Sequence, residues 1–388
     1  MRTAVIVLAC SVLALAAGIY LGGHPSTLPG PIRDSLVDED RAVRSQILET
    51  IQDNFYKPVD ESKLDDASLK GIVESLEDPY SHYITPKEAS TFQERVSGEF
   101  EGVGMSVEKD DRGLRVLNVF DGSPAAGAGI HKQDLILSVD GRSIAGLTSD
   151  IATSRIKGPA GTKVELEVFT PGGADSRTVR VERERIHVPV ATGRVVERDG
   201  HKVGVVRLVS FTNGAHGVLR RQVNKVLDDG AQAIVLDLRS NGGGLLTEAV
   251  LVSSIFIEDG EIVSVRGRER PERTDNAEGD AIDPDIPVAV LVDGGSASAS
   301  EIVTGALRDR HRATVVGTNT FGKGLVQEVE PLSNGGYLDL TVANYYLPGG
   351  ETISTRGLKP QVKAFDKPGT TKRDEALPVA LDVLIGKL

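Results

Sequence analysis

Cysteine and tryptophan are the scarcest residues of this 388-residue chain, which has one Cys and no Trp, and aromatic residues make up only 4%. A single cysteine cannot form an internal disulfide, and it cannot supply the thiolates of a Cys-rich zinc site or an iron–sulfur cluster. Basic residues are also outnumbered, 44 against 56 acidic ones, which gives a formal net charge of −12. Because nucleic-acid binding draws on a basic surface, this charge argues against nucleic acid as a partner.

One long uncharged run stands at the N-terminus, where residues 3–23 follow Arg2. A helix of this length spans about 31 Å, close to one hydrocarbon core, and the positive charge before it keeps that end cytoplasmic. Two interpretations stay open: a signal peptide cleaved near Ala14-Leu15-Ala16, or an uncleaved membrane anchor. Both predict a periplasmic or extracytoplasmic protein of the cell envelope. Cys10 lies within the run and is interpreted as an apolar residue of it.

Glycine is abundant, with 43 residues against about 7% in average proteins, which predicts many tight turns. The length predicts two or three domains. The order of helix and strand signals along the chain predicts an α+β multidomain fold. In this fold a β-barrel-like module is inserted between a helical N-terminal segment and an α/β core of strand-turn-helix units. We place the segments as follows: 1–23 signal peptide or anchor, 24–97 linker and helical segment, 98–186 β-rich module, 187–366 core, and 367–388 tail helix.

Apolar periodicity places the main elements. One face of a predicted helix carries Val43, Ile47, Ile51 and Phe55. Further helices are predicted over 64–76, from Pro86 and over 149–156. The charged stretch 266–287 is predicted to be a mobile loop. Strands are predicted over these ranges: 105–107, 114–119, 135–139, 163–169, 177–181, 202–208, 233–238, 288–292 and 313–316.

The β-rich module carries a glycine-containing entry to a strand, Gly102-Val103-Gly104-Met105. Such a loop lets consecutive backbone N–H groups converge on a carboxylate, and the strand after it can pair with an added peptide strand. Together with Gly122-Ser123-Pro124-Ala125 and the run from Asp134 to Gly141, it resembles the PDZ domains of bacterial proteases. One departure is Gln133, which stands where that pattern has glycine. The resemblance implies that residues 102–105 bind the carboxylate of a peptide.

Three glycine-containing turns each follow a predicted buried strand. The turn at Asn241-Gly242-Gly243-Gly244 could present backbone N–H groups to an anion or an oxyanion. The turn Ser296-Ala297-Ser298-Ala299-Ser300-Glu301 could expose a serine nucleophile, although Ser298 and Glu301 also fit a helix N-cap. The third, Gly317 to Gly324, nearly spells a phosphate-binding loop.

Nucleotide binding at the third turn conflicts with two features of the sequence. Gly324 stands where a hydroxyl must bind Mg²⁺, and residues 325–329 have the pattern of a strand rather than a helix. A serine nucleophile needs a base, and none of the seven His residues lies in a suggestive motif. Lys323 is the alternative, and as a base it needs surroundings that lower its pKa from about 10.4 toward neutrality.

The segment 290–327 resembles the carboxyl-terminal processing peptidases, or tail-specific peptidases. The family patterns S-A-S-A-S-E and F-G-K-G-x-V-Q match residues 296–301 and 321–327. The resemblance extends over about 350 residues, with Asp293 and Gln361 as departures. It implies a Ser–Lys dyad of Ser298 and Lys323 and a Lys-positioning Gln327. It also implies oxyanion N–H donors at Ala299 and at Gly243 or Gly244.

The resemblance predicts an exported serine endopeptidase that recognises protein or peptide substrates by their free C-termini and needs no metal or other cofactor. A membrane contact is expected through residues 3–23 if these are not cleaved. The alternative from another functional class is a catalytically silent PDZ adaptor or chaperone that binds protein C-termini. Binding of C-terminal peptides without any turnover would favour the adaptor, since only a peptidase consumes its peptide.

Overall fold

A computed structural model of the protein describes residues 39–173, 175–269, 271–353, 356–365 and 374–388. Its contacts divide the chain into two compact units that part between residues 85 and 86. The described part of the first unit holds helices α1 (Glu39–Asn54) and α2 (Glu61–Glu74) and strand β1 (His82–Ile84).

The first unit follows the predicted helices closely. Asp60 caps α2, because its carboxylate accepts the backbone N–H of Ser62 at 3.1 Å. The apolar face of α1 is present but largely uncovered, with Val43, Ile47 and Phe55 each more than half exposed. No helix in the described part of the chain combines the length and apolar composition needed to cross a membrane. The predicted membrane run, residues 3–23, lies outside the described residues.

The second unit begins with a β-rich module. Its sheet is antiparallel in the order β3-β4-β5-β7-β8, and β3 therefore lies at an edge. A separate ladder pairs β2 with β9, so the chain enters and leaves the module side by side. The elements are α3 (Pro86–Ser97), β2 (Glu99–Gly102), β3 (Met105–Asp110), β4 (Gly113–Val119), α4 (Pro124–Gly127), β5 (Leu135–Val139), β6 (Arg142–Ser143), α5 (Ser149–Ile156), β7 (Lys163–Phe169), β8 (Ser176–Glu182) and β9 (Glu184–His187).

The rest of the second unit is an α/β core. Its central sheet has the order β10-β11-β12-β15-β16-β19, parallel throughout except for β10. The elements are β10 (Ala191–Arg198), β11 (His201–Leu208), α6 (Ala215–Asp228), β12 (Ala233–Asp237), α7 (Leu246–Ser254), β13 (Glu261–Gly267), β14 (Arg273–Asn276), β15 (Val288–Val292), α8 (Ala299–Asp309), β16 (Ala313–Gly317), β17 (Leu325–Pro331), β18 (Tyr337–Tyr346), β19 (Val362–Lys363) and α9 (Ala376–Ile385).

Both faces of the central sheet are buried, which explains why its strands are apolar throughout. Alternate residues such as Leu236 and Val290 pack with α6, α7 and α8 on one face. Their neighbours Val235 and Leu291 pack on the opposite face with the C-terminal helix α9. Pro378 stands at the third position of α9, where its missing N–H has no helical acceptor to lose, so it does not interrupt the helix as the sequence suggested.

A second antiparallel sheet contains β13, β14, β17 and β18. Strand β17 directly follows the loop of the third glycine-containing turn, as the sequence predicted. The prediction of a loop over 266–287 is wrong for Arg266 and Gly267, which end β13, and for Arg273–Asn276, which form β14 and pair with β13. The charged residues of β14 are mostly exposed, so the ladder to β13, rather than apolar burial, accounts for the strand.

Candidate active site

The three turns singled out in the sequence meet at one edge of the central sheet. They follow β12, β15 and β16, which are parallel neighbours, so their C-terminal ends lie side by side. This edge is the usual position of ligand sites in open α/β sheets. The fold thus brings Gly243, Gly244, Ser298, Ala299 and the loop before Lys323 into one region.

Ser298 occupies a strained position at the start of α8. Its backbone has φ 55° and ψ −115°, and its side chain is buried with 7% exposure. A non-glycine residue in such a conformation costs on the order of 1–3 kcal/mol, and strain of this kind is frequent where a strand-to-helix turn presents a nucleophile. The surrounding turn must hold Ser298 in place.

The neighbouring serines provide part of that support. The hydroxyl of Ser296 donates to the carbonyl of Leu238 at 2.8 Å, and the hydroxyl of Ser300 donates to the carbonyl of Asn241 at 2.8 Å. Both hydroxyls thus tie the serine turn to the turn after β12, and both side chains are fully buried. Of the three serines in the S-A-S-A-S pattern, this leaves Ser298 as the candidate nucleophile.

Glu301 joins the serine turn to the lysine loop. One carboxylate oxygen, Oε2, accepts the backbone N–H of Ser298 and that of Lys323, each at 2.9 Å. The other oxygen, Oε1, accepts the hydroxyl of Thr320 at 2.5 Å and the N–H of Gly322 at 2.7 Å. The side chain is fully buried. The two candidate dyad residues are therefore fixed through a shared oxygen atom.

Lys323 is oriented by a neighbour on β17. Its Nζ donates to Oε1 of Gln327, four residues along the chain. The N–H groups of Gly322 and Lys323 are directed at Glu301, and the chain continues into a strand. A phosphate-binding loop needs such N–H groups for the phosphates and a helix after the lysine, so this geometry does not fit nucleotide binding.

The glycine turn lies directly against Ser298. Gly243 has φ +100°, and a Cβ built on it would stand 2.9 Å from Cβ of Ser298 and 3.0 Å from the nitrogen of Ala299, so only glycine fits. The N–H of Gly243 donates to Oδ1 of Asn241 at 3.0 Å, and its carbonyl accepts from Phe211. Ala299 is the first residue of α8, so its N–H belongs to the open helix N-terminus.

Just before the glycine turn, the guanidinium of Arg239 bonds two carboxylates and so fixes the chain there. Arg239 donates to Asp237 at 2.9 and 2.7 Å and to Asp374 at 2.9 and 2.8 Å. Burial opposes its charge, but the hydrogen bonds that it donates to the two carboxylates outweigh burial and raise the pKa of Arg239. For Asp374 burial again opposes charge, and the Arg239 hydrogen bond keeps the pKa of that carboxyl below its usual value.

Asp293 and Gln361, which depart from the family pattern, both accept backbone hydrogen bonds. Asp293 accepts the N–H groups of Ser240 at 2.8 Å and of Gly295 at 2.9 Å. Gln361 accepts the N–H of Val315 at 2.8 Å through Oε1. In both places an oxygen acceptor is what the fold uses, and either an acid or an amide supplies it.

Tyr345, on β18, lies beside Ser298. It is 4% exposed, burial raises its pKa to about 12, and a hydrogen bond with Ser298 partly offsets that rise. Its own backbone N–H donates to the carbonyl of Gly324 at 2.9 Å. Tyr345 thus contacts Ser298 through its side chain and the residue after Lys323 through its backbone.

The predicted carboxylate loop lies in the β-rich module rather than at this edge. Gly102 ends β2, Val103 and Gly104 form the turn, and Met105 begins the edge strand β3. The carbonyl of Val103 accepts the N–H of Ala125 at 2.8 Å, and that of Gly104 accepts Phe120 at 3.0 Å. Helix α5 packs against β3 and β4, so β3 has the edge position that strand addition requires.

A cavity of about 1050 Å³ lies between the module and the core. Its walls include Leu245, which follows the glycine turn, and Gln327, which bonds Lys323, so the cavity borders the site from two sides. Apolar side chains of α3, including Phe92 and Val96, line it as well. Among the described residues, no cluster of three or more His, Cys, Asp or Glu side chains is arranged to hold a metal ion.

Several supporting residues were not predicted from the sequence. Glu301 was interpreted only as a capping residue, and its contacts with the lysine loop depend on strand order that no local pattern reveals. The same holds for Arg239 and Asp374, which pair across 135 residues of the chain, and for Tyr345, whose backbone N–H bonds the carbonyl of Gly324. The sequence spacing of Ser298 and Glu301 was the one available signal.

The family comparisons agree with the architecture. The model of peptidase family S41 matches residues 202–364, the PDZ domain model matches residues 90–169, and the model of the activating protease CtpB N-terminal domain matches residues 37–88. The PDZ match covers the edge strand β3 and the predicted carboxylate loop, and the S41 match covers all three glycine-containing turns. The inserted position of the PDZ domain is therefore as the sequence predicted.

Curated relatives are bacterial proteases. The "Probable CtpA-like serine protease" of Staphylococcus aureus (strain COL) is 38% identical over 318 residues, 81% of this chain and 63% of the relative. The chain thus spans less than two thirds of that relative's length. The protein of the same description from Staphylococcus saprophyticus is 36% identical over 92% of this chain and 71% of the relative.

A solved structure is similar over most of its length. The photosystem II D1 C-terminal processing protease is 30% identical to this chain, with 81% of this chain and 85% of that chain covered and a TM-score of 0.48. The family itself is shown by the match to the family model together with the Staphylococcus saprophyticus relative, of which this chain covers 71%. The chain belongs to peptidase family S41 and carries a PDZ domain within it.

Proposed function

We propose that this protein is an exported serine endopeptidase that cleaves protein substrates near their C-terminus with a Ser298–Lys323 dyad. The observation that carries the proposal is the shared carboxylate oxygen of Glu301, which lies 2.9 Å from the backbone nitrogens of both residues. A nucleophile and its base must be held in a fixed mutual geometry to react. The membership in family S41 supports the same activity.

In this mechanism Ser298 Oγ attacks the scissile carbonyl while neutral Lys323 Nζ takes its proton. The same amine then returns the proton to the leaving nitrogen of the peptide, and water repeats the sequence on the acyl-enzyme. Gln327 orients the amine by accepting a hydrogen bond from it through Oε1. The proposed steps use Ser298, Lys323, Gln327 and one water molecule.

The oxyanion would be stabilised by backbone N–H groups of Ala299 and of the glycine turn. Because the N–H of Gly243 already donates to Asn241, we assign the second donor to Gly244. The carbonyl of Gly243 is bonded to Phe211, and in a trans peptide the N–H of the next residue points to the opposite side. Each such donor is typically worth about 3 kcal/mol in the transition state.

Substrate selection would fall to the PDZ domain. The turn at Val103 and Gly104 would receive the terminal carboxylate, and the substrate would add to β3 as an extra strand. Export is proposed from the uncharged run of residues 3–23 that follows Arg2. Cleavage would then take place on the periplasmic or extracytoplasmic side of the cell envelope.

The dyad is tested with a peptide that has an apolar, free C-terminus. Ser298→Ala and Lys323→Ala should each abolish cleavage, while Ser62→Ala, on the exposed start of α2, should cleave normally. Mass spectrometry of the products gives the cleavage position. Undiminished cleavage by either dyad variant would refute the assignment, and peptide binding without any cleavage by the unchanged protein would favour the adaptor function instead.

A further inference from the structure

Glu248 is a deeply buried carboxylate outside the Ser298–Lys323 dyad. It stands in the first turn of α7, which begins directly after the glycine turn and Leu245, and only 3% of its surface is exposed. A carboxylate is rarely buried this deeply unless hydrogen-bond donors surround it. For Glu248 these donors lie on a different segment of the chain, at the start of α6.

Both oxygens of Glu248 accept hydrogen bonds from the start of α6. Oε1 accepts the backbone N–H of Gly214 at 2.8 Å, and Oε2 accepts the backbone N–H of His216 at 2.9 Å. The imidazole Nδ1 of His216 also lies 2.9 Å from Oε2. Gly214 is the N-cap of α6 and has no side chain with which to cap it, so Glu248 satisfies the open N–H groups of this helix from outside.

Phe211 joins the same two segments beside the glycine turn. Its backbone N–H donates to the carbonyl of Gly243 at 3.0 Å, and its carbonyl accepts the N–H of Leu245 at 2.9 Å. A Cβ built on Gly244 would lie 2.4 Å from the carbonyl oxygen of Phe211, so the two backbones are in direct contact. The backbone of Phe211 therefore determines where Gly244, the proposed second oxyanion donor, lies.

Glu248 closes this arrangement into a ring of contacts. Gly214 follows Phe211 by three residues, and Glu248 follows Leu245 by three residues. The hydrogen bonds of Phe211 join the two segments at one end, and those of Glu248 join them at the other. Segments fixed at both ends cannot move past each other without leaving buried hydrogen-bonding groups unpaired, which is costly.

We propose that Glu248 is a positioning residue for the oxyanion donor: it fixes the loop after β11 so that the backbone of Phe211 keeps the N–H of Gly244 in place. The inference rests on the proposed function, since it assumes Ser298 as the nucleophile and Gly244 as a donor. An oxyanion donor is effective when it is preorganised at the point where charge develops in the transition state. Loosening Gly244 should therefore slow the chemical steps and leave substrate binding unchanged.

The test is Glu248→Gln, which retains the shape of the side chain and replaces one acceptor oxygen by an amide nitrogen that cannot accept. Removing an oxyanion donor outright lowers kcat by about 100- to 1000-fold. Because Gly244 would be displaced rather than removed, we expect kcat to fall about tenfold and KM to change less than about twofold. A peptide aldehyde, whose adduct with Ser298 places an oxygen at the oxyanion position, should bind about tenfold more weakly.

Binding of the uncleaved peptide separates a positioning role from a structural one. Ser298→Ala and Ser298→Ala/Glu248→Gln should bind the peptide equally, because the oxyanion forms only after attack. A merely structural role would lower the unfolding midpoint and leave both kcat and aldehyde affinity unchanged in the folded fraction. Glu258→Gln is the matched control, since exposed Glu258 accepts the backbone N–H of Ala281 at 2.8 Å, and this variant should retain both values.

Two outcomes would overturn the inference and leave the dyad intact. In the first, folded Glu248→Gln has the kcat and the aldehyde affinity of the unchanged protein. In the second, kcat falls while the aldehyde binds as before, so the loss does not arise at the oxyanion position. If Ser298→Ala still cleaves the peptide, the proposed function fails and the inference fails with it. If Glu248→Gln does not fold, Glu248→Asp, which sets the carboxylate back by one methylene, replaces it and must lose both kcat and aldehyde affinity.

Discussion

At the scale of single residues, the candidate site depends on a buried carboxylate besides the proposed dyad. Glu301 accepts four hydrogen bonds, from two backbone groups of the lysine loop, one threonine hydroxyl and the strained Ser298. These hydrogen bonds, together with those of Ser296 and Ser300, offset the energetic cost of the unusual backbone conformation of Ser298. The chemistry assigned to two residues thus requires a larger set of buried polar groups.

We predict that Glu301→Gln lowers kcat by about a hundredfold or more. An amide nitrogen cannot accept, so two of the four donors would lose their acceptor at about 1–3 kcal/mol each. Steady-state cleavage of the test peptide measures the effect, with Glu165→Gln on the PDZ surface as control, since the Glu165 carboxylate bonds the exposed side chain of Arg180 at 3.2 Å. A kcat within twofold of the unchanged protein would show that Glu301 does not position the dyad.

At the scale of elements, the C-terminal helix is part of the active site's support. Helix α9 covers one face of the central sheet, and Asp374, just before it, completes the fork that holds Arg239. The carboxylate also accepts the N–H of Leu377 at 2.9 Å and so caps the helix. One side chain thus couples the tail to the turn that is proposed to stabilise the oxyanion.

The pKa of Asp374 predicts how this support depends on pH. Its folded-state pKa is depressed, so its stabilisation is present above the unfolded value of about 3.9 and is lost as the pH falls through the folded value. Asp374→Asn should therefore lower the free energy of unfolding by about 1 kcal/mol at pH 7, a value reduced for partial exposure.

Denaturant titration of both proteins at pH 7 and at about pH 2 measures the difference. The difference should shrink as the pH falls through the folded-state pKa of Asp374, because the carboxyl then becomes protonated in the folded state as well. A difference of the same size at both pH values would mean that the loss comes from packing rather than from charge. Glu375→Gln, at the neighbouring position, is the control for a general change of charge near α9.

At the scale of the whole molecule, recognition and cleavage are assigned to separate parts of the second unit. The PDZ domain is inserted through the paired strands β2 and β9, and its carboxylate loop begins where β2 ends. The cavity between the PDZ domain and the core extends toward Gln327 and Leu245. A substrate held at its C-terminus by the PDZ domain could therefore pass an internal segment along this cavity.

Capture of the terminal carboxylate predicts a dependence on the free C-terminus. The Ser298→Ala variant should bind a fluorescent peptide with a free carboxylate at least about tenfold more tightly than its C-terminal amide, since charge-assisted hydrogen bonds are lost on amidation. Fluorescence anisotropy measures both affinities. Equal affinities would assign recognition to internal residues of the substrate and not to the loop at Gly104.

Local signals in the sequence predicted much of this arrangement. The ranges of β5, β7, β15 and α5 follow directly from apolar spacing and turn residues, because those patterns are local. Convergence of the three turns also follows, once the strands are recognised as parallel. The contacts of Glu301, Arg239 and Tyr345 could not be predicted, because they join segments whose proximity depends on strand order. Strand β14 was not predicted, because its residues are charged and it is formed by backbone pairing with β13 rather than by an apolar pattern.

The central claim is that Ser298 is a nucleophile activated by Lys323. The most direct measurement is mass spectrometry of the full chain after reaction with a fluorophosphonate, which locates the modified residue. The account predicts one adduct, on Ser298, whose formation is abolished or greatly slowed in Lys323→Ala while the protein remains folded. An adduct on a different serine, or equally fast labelling of Ser298 without the lysine, would contradict it.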